Sequence, residues 1–133
     1  MPTNIPILYS FRRCPYAMRA RMTLLYASIN LELREVLLKA KPEKMLAISA
    51  KGTVPVLELP DATVLDESYD IAHWALNASD PEQWWSADLA PAIDDLVARN
   101  DGQFKADLDQ YKYWERFPAE SQEQYRARGE QFL

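Results

Sequence analysis

The sequence predicts an α/β fold: a four-stranded mixed sheet with helices on its faces, in the order β-α-β-α-β-β-α, followed by part of an all-α domain. Three observations carry this. Short apolar runs of strand length alternate with stretches of helical periodicity through the first 78 residues. Pro60-Asp61-Ala62 is a turn-forming cluster between two of those runs, which makes them a hairpin. Beyond Asn77-Ala78-Ser79-Asp80-Pro81, where turn residues concentrate, strand signals stop. The expected domains are therefore residues 1–78, a linker over 79–85, and a helical segment over 86–133 that is cut short.

Ile5-Pro6-Ile7-Leu8-Tyr9 reads as a short buried strand. Pro15 then opens a helical pattern in which Met18, Met22, Leu25 and Ile29 recur at i, i+4, i+7 and i+11. Leu31 to Leu38 reads as the second strand, parallel to the first through a right-handed crossover. Pro42 starts a short helix running to about Ala50, with Gly52 just past its end. Pro55–Leu59 and Thr63–Leu65 form the hairpin, and a third helix runs from Ser68 to about Asn77. After Ser86, Ile93, Leu96, Val97, Phe104, Leu108 and Tyr111 keep helical spacing, and a last polar helix runs from about Ala119 to the end.

Composition bounds the function. Apolar residues make up 48% of the 133, enough for one full core and part of a second. No apolar stretch approaches a membrane span and the N-terminus lacks a signal-peptide layout, so the expected location is the cytoplasm, with no membrane partner. A net charge of −5 argues against nucleic acid as a partner. The charge is uneven: residues 1–50 carry a surplus of five positive charges, the rest a surplus of ten negative. One cysteine excludes an intrachain disulfide, and one cysteine with one histidine, His73, argues against a zinc site, so no metal is expected.

That cysteine has a chemically loaded setting. In Ser10-Phe11-Arg12-Arg13-Cys14-Pro15-Tyr16, Pro15 suits the first helical position and puts Cys14 at the N-cap. Unsatisfied N–H groups and the positive end of the helix dipole favour an anion there by ~0.3–2 kcal/mol. Arg12 and Arg13 add positive charge. Position 17 is Ala17, so a second, resolving thiol is missing and any disulfide formed by Cys14 joins it to another molecule.

At this point the chain resembles the cysteine-type, omega-like glutathione S-transferases and, more distantly, glutaredoxins that carry a helical domain. Four spaced elements carry the resemblance: Tyr9 to Ala17 matches the active-site loop, Leu38 to Glu43 the strand-to-helix segment, Gly52-Thr53-Val54-Pro55-Val56-Leu57 the cis-proline loop, and Asp66-Glu67-Ser68 the acidic-serine signature. The resemblance implies a thioredoxin-like, glutathione-binding first domain, with Cys14 catalytic and Tyr16, Lys41, Val54, Pro55, Glu67 and Ser68 binding glutathione. Val54-Pro55 would grip the cysteinyl part through the backbone of Val54. Ser68 and Glu67 suit the γ-glutamyl end, one facing its carboxylate and the other its ammonium. The resemblance assigns Lys41 to the glycine carboxylate and Tyr16 to the wall of the thiol pocket.

The activity implied is that of a glutathione-dependent thiol transferase or reductase of the dehydroascorbate reductase type, with glutathione as co-substrate and a small electrophilic or disulfide second substrate. The alternative is a non-catalytic binding or regulatory module on the same fold. Relatives continue with several more helices, whereas this chain stops within an apparently helical segment, which reads as a fragment. Two helices with an uncovered apolar face predict a homodimer in which the helical parts pack together.

Overall fold

Residues 4–133 are described by a computed structural model, so the first three residues of the expected first domain lie outside the described residues. The chain divides into two compact units, one ending at Trp84 and the other beginning at Trp85.

The first unit contains β1 (Ile7–Ser10), α1 (Pro15–Tyr26), β2 (Glu32–Glu35), α2 (Glu43–Ile48), β3 (Val56–Glu58), β4 (Val64–Leu65) and α3 (Ser68–Ala78). The sheet order is β2-β1-β3-β4, with β1 parallel to β2 and the remaining pairs antiparallel. This is the mixed four-stranded sheet that the sequence predicts. Side chains alternate across β1, so one strand feeds two cores. Leu8 packs with Ala20, Leu24, Leu57, Ile71 and Ala75 beneath α1 and α3. Ile7 and Tyr9 pack with Val36, Met45 and Val56 beneath α2.

Two expectations change at the level of elements. The stripe that periodicity picks out on α1 faces outward: Met18, Met22 and Leu25 are 41%, 65% and 81% exposed. The buried residues are Ala17, Ala20, Thr23 and Leu24. Small side chains let α1 lie close to both the sheet and α3, where a methionine stripe would hold it off. The second strand is also shorter than Leu31–Leu38. Its partner β1 ends at Ser10, whose carbonyl accepts the Val36 N–H at 2.8 Å, and the chain then turns, with the Ala40 N–H bonded to the Leu37 carbonyl at 2.9 Å.

The second unit is helical throughout: α4 (Ala90–Arg99), a π-helical turn (Asn100–Phe104), α5 (Lys105–Lys112), a 3-10 turn (Trp114–Arg116) and α6 (Gln122–Glu130). The last helix starts later than Ala119 because Ser121 and Gln124 close a reciprocal capping box. Buried Tyr125 secures the preceding turn, its hydroxyl donating to the Phe117 carbonyl at 2.8 Å and accepting from the Glu120 N–H at 3.2 Å. Leu96 and Leu108, which keep the helical spacing, are 53% and 37% exposed.

Candidate glutathione site

Cys14 stands where β1 hands over to α1. Its backbone is non-helical, φ −74° and ψ 120°, while Pro15 already occupies the first helical position. Cys14 is thus the N-cap. The Ala17 N–H is aimed at Sγ from 3.5 Å, and the Val54 carbonyl oxygen lies 3.8 Å from the same sulfur. Cys14 is half-buried, with one backbone N–H and one carbonyl oxygen against its sulfur.

The loop before Cys14 is held by a residue that the sequence does not single out. Arg21, two turns into α1, donates to Ser10 Oγ at 2.5 Å, to the Phe11 carbonyl at 3.2 Å and to the Arg12 carbonyl at 2.8 Å. The Arg12 N–H bonds to Glu35 Oε1 at 2.7 Å, which ties the loop to the end of β2. The Arg13 guanidinium lies over the Phe11 ring, 5.5 Å from its centroid.

Val54-Pro55 is a cis bond, and Pro55 is buried. Just before it, Gly52 has φ +63°, a left-handed conformation that only glycine adopts without strain. A Cβ placed at Gly52 would lie 4.0 Å from Lys41 Nζ, so the Lys41 ammonium sits beside the proline loop. Of the sequence-predicted residues, Cys14 therefore meets Val54, with Pro55 next in the chain, and Lys41 borders the same loop beside Gly52.

The start of α3 brings in two more unanticipated cations. Ser68 is 5% exposed, and Arg19 of α1 donates to its Oγ at 3.4 Å. The same guanidinium lies 5.6 Å from the centre of the Tyr16 ring, so Tyr16, Arg19 and Ser68 form one run from α1 to α3. Lys51 pairs with Glu67 and with Asp66, the latter at 3.5 Å. Its ammonium is held above the ordinary lysine value, chiefly by the hydrogen bond to Glu67, and the Asp66 charge adds to this. Asp66 is itself fixed by the Ser49 hydroxyl at 2.8 Å. Glu67 thus already has a cation beside it. Arg19 and Ser68 are 49 residues apart and Lys51 and Glu67 are 16 apart, beyond the reach of any local pattern.

Residues 8–83, more than half of the chain, match the family described as glutathione S-transferase, N-terminal domain. The chain belongs to the glutathione S-transferase family. This transferase-family chain is 30% identical over 95 residues to Glutaredoxin 2 of Escherichia coli (strain K12), covering 71% of its own length and 43% of that protein. It is 37% identical over 68 residues to glutathione S-transferase omega-2 of Rattus norvegicus, covering 51% of itself and 27% of that protein. It therefore spans less than half the length of the curated relatives it matches. In fold, the transferase-family chain is similar to glutathione transferase Omega 3C from Trametes versicolor, with a TM-score of 0.81 and 21% identity over 99% of this chain and 60% of that one. Among the described residues, no helix is long and apolar enough to cross a membrane.

Proposed function

We propose that this chain is a glutathione-dependent thiol transferase, of omega-like type, working through a mixed disulfide between Cys14 and glutathione. The observation that carries the reading is the N-cap sulfur with the Ala17 N–H aimed at it from 3.5 Å; the Val54 carbonyl, 3.8 Å away, accepts from the thiol until it ionises. In the first step the Cys14 thiolate attacks the glutathionyl sulfur of a glutathionylated substrate. The Cys14–glutathione S–S bond forms, the substrate S–S bond breaks, and the substrate leaves as a thiolate that takes a proton from water. In the second step a glutathione thiolate attacks the glutathionyl sulfur of that mixed disulfide. Glutathione disulfide leaves and the Cys14 thiolate returns.

Exchange of this kind requires no metal and no histidine base, and it suits the reducing cytoplasm. Val54 and Pro55 meet the cysteinyl part of glutathione. Glu67 and Ser68 take the γ-glutamyl end, with Arg19 and Lys51 supplying positive charge around its carboxylate. Lys41 takes the glycine carboxylate, and Tyr16 lines the pocket. The protein works as a homodimer on a small disulfide or electrophilic substrate. Mass spectrometry after exposure to glutathione disulfide tests the chemistry: one glutathione adduct on the wild type and none on Cys14→Ser is the expected result. A wild-type chain that stays unmodified would sink the reading.

A further inference from the structure

The turn that delivers the chain to Cys14 is closed by the Cys14 N–H on the Phe11 carbonyl at 3.1 Å, which leaves Arg12 and Arg13 at its two corner positions. Both are exposed. The Arg13 guanidinium rests over the Phe11 ring, 5.5 Å from its centroid, a contact that fixes the cation without neutralising it. The bond between Arg12 and Glu35 runs through the Arg12 backbone N–H and not through its guanidinium. Behind the turn, Arg21 donates only to neutral acceptors, Ser10 Oγ and the Phe11 and Arg12 carbonyls. Among the described residues, no carboxylate lies within ion-pair distance of the guanidinium of Arg12, Arg13 or Arg21. The first turn of α1 carries no acid either.

The loop before the cysteine therefore holds an excess of positive charge, offset only by the carboxylate of Glu35 bonded to its backbone. Arg21 spends its donors on the shape of the loop, whereas Arg12 and Arg13 face solvent. Chain geometry keeps these two close to the reacting residue, with Cα atoms within ~4 and ~7 Å of that of Cys14. That is inside the ~8 Å over which exposed charges act at physiological ionic strength.

The chemistry of exchange says what such charge does. When the Cys14 thiolate takes the glutathionyl sulfur, the substrate S–S bond breaks and the substrate sulfur leaves with the electron pair as a thiolate. A thiol with acidic neighbours is a poor leaving group, because carboxylates beside it disfavour its thiolate. Guanidinia beside Cys14 act on both charges: they attract the carboxylates on approach and stabilise the departing sulfur. We propose that Arg12 and Arg13 make acidic peptides the preferred partners of this exchange, namely glutathionylated cysteines flanked by carboxylates. At ~7 Å in water one pair of unit charges changes a rate about threefold, so two facing pairs amount to about tenfold at low salt.

The selection rests on the thiol-transfer reading above, and the test separates the two. Three pentapeptides are glutathionylated on a central cysteine, with flanks of glutamate, serine or lysine. Each kcat/KM, measured with glutathione as reductant, is divided by the uncatalysed rate of the same peptide with neutral mercaptoethanol, which removes differences in the leaving thiol itself. The expected order is glutamate, serine, lysine, with a glutamate-to-lysine ratio of about tenfold or more at about 20 mM salt that shrinks to threefold or less at about 0.5 M. Arg12→Gln/Arg13→Gln brings the ratio close to one, and Arg12→Glu/Arg13→Glu reverses the order. A change in Cys14 reactivity common to all three peptides cancels in the ratio, and the salt series on the wild type needs no variant. A wild-type ratio near one, or one that survives salt or both variants, overturns the selection alone and leaves thiol transfer standing. A chain that turns over none of the peptides overturns the thiol-transfer reading, and the selection with it.

Discussion

Ala62 is a non-glycine residue at φ 71°, in the turn between β3 and β4. The turn closes with the Ala62 N–H on the Leu59 carbonyl at 2.9 Å and the Leu59 N–H on the Thr63 carbonyl at 2.8 Å. Asp61 Oδ1 accepts the Thr63 N–H at 2.9 Å, and that bond holds the carboxyl below its ordinary range. A three-residue turn with a left-handed last position favours glycine there, and a Cβ costs roughly 1–2 kcal/mol in that conformation. Ala62→Gly is therefore expected to raise stability by ~1 kcal/mol after the flexibility glycine adds to the unfolded chain, measured by urea unfolding. The hairpin was legible from Pro60-Asp61-Ala62 because turn chemistry is local. The left-handed position was not, because alanine does not advertise it.

At the scale of elements, α1 joins the chemistry to the core. Its N-cap is Cys14, its buried side is Ala17, Ala20 and Leu24, and its Arg21 holds the loop that precedes the cysteine. Arg21→Ala removes three hydrogen bonds to that loop. Charge-assisted bonds of this kind contribute roughly 1.5–3 kcal/mol each when well formed, and partial exposure lowers the figure here. The expected outcome is a several-fold slower reaction of Cys14 with glutathione disulfide and little change in overall helix content, read by stopped-flow mass analysis and circular dichroism. Unchanged kinetics would show that the loop holds its shape without Arg21. The sequence marked Cys14 through Pro15, since both act within one turn. Arg21 escaped notice because its partners lie on the strand and loop before the helix, and only the folded handover from β1 to α1 brings them to its guanidinium.

For the molecule as a whole, the first unit carries two contacts that weaken in alkali. The Tyr26 hydroxyl donates to Asp80 at 2.7 Å and accepts the Glu82 N–H at 2.7 Å, while its ring stacks on Trp84 with centroids 3.5 Å apart. Burial, then the bond to Asp80, holds this phenol above the ordinary tyrosine value. Lys51 is raised by Glu67 and Asp66. A group whose folded value is raised contributes fully below its unfolded value, near 10 for both residues, and loses that contribution as pH rises through the folded value. The melting temperature is therefore expected to stay flat from about pH 7 to 9 and to fall from about pH 10 upward. Tyr26→Phe should melt lower at neutral pH and fall less steeply in alkali. An equal alkaline slope in that variant would remove Tyr26 from the account.

The cis-proline loop is legible only through the resemblance to the family; the sequence by itself determined the order of the elements, the mixed sheet and the single cysteine at a helix start. Each of these is written in neighbouring residues: the alternation of Ile7, Leu8 and Tyr9, the Cys14-Pro15 pair, the turn after Leu59. Tertiary structure alone decided which stripe of α1 is buried, that β2 stops at Glu35, and that Arg19 and Lys51 join the serine and acidic residues at the start of α3. The physical reason is distance along the chain. Periodicity defines a helix face but not what it meets, and cations recruited across 49 and 16 residues become neighbours only after the sheet has closed beneath them.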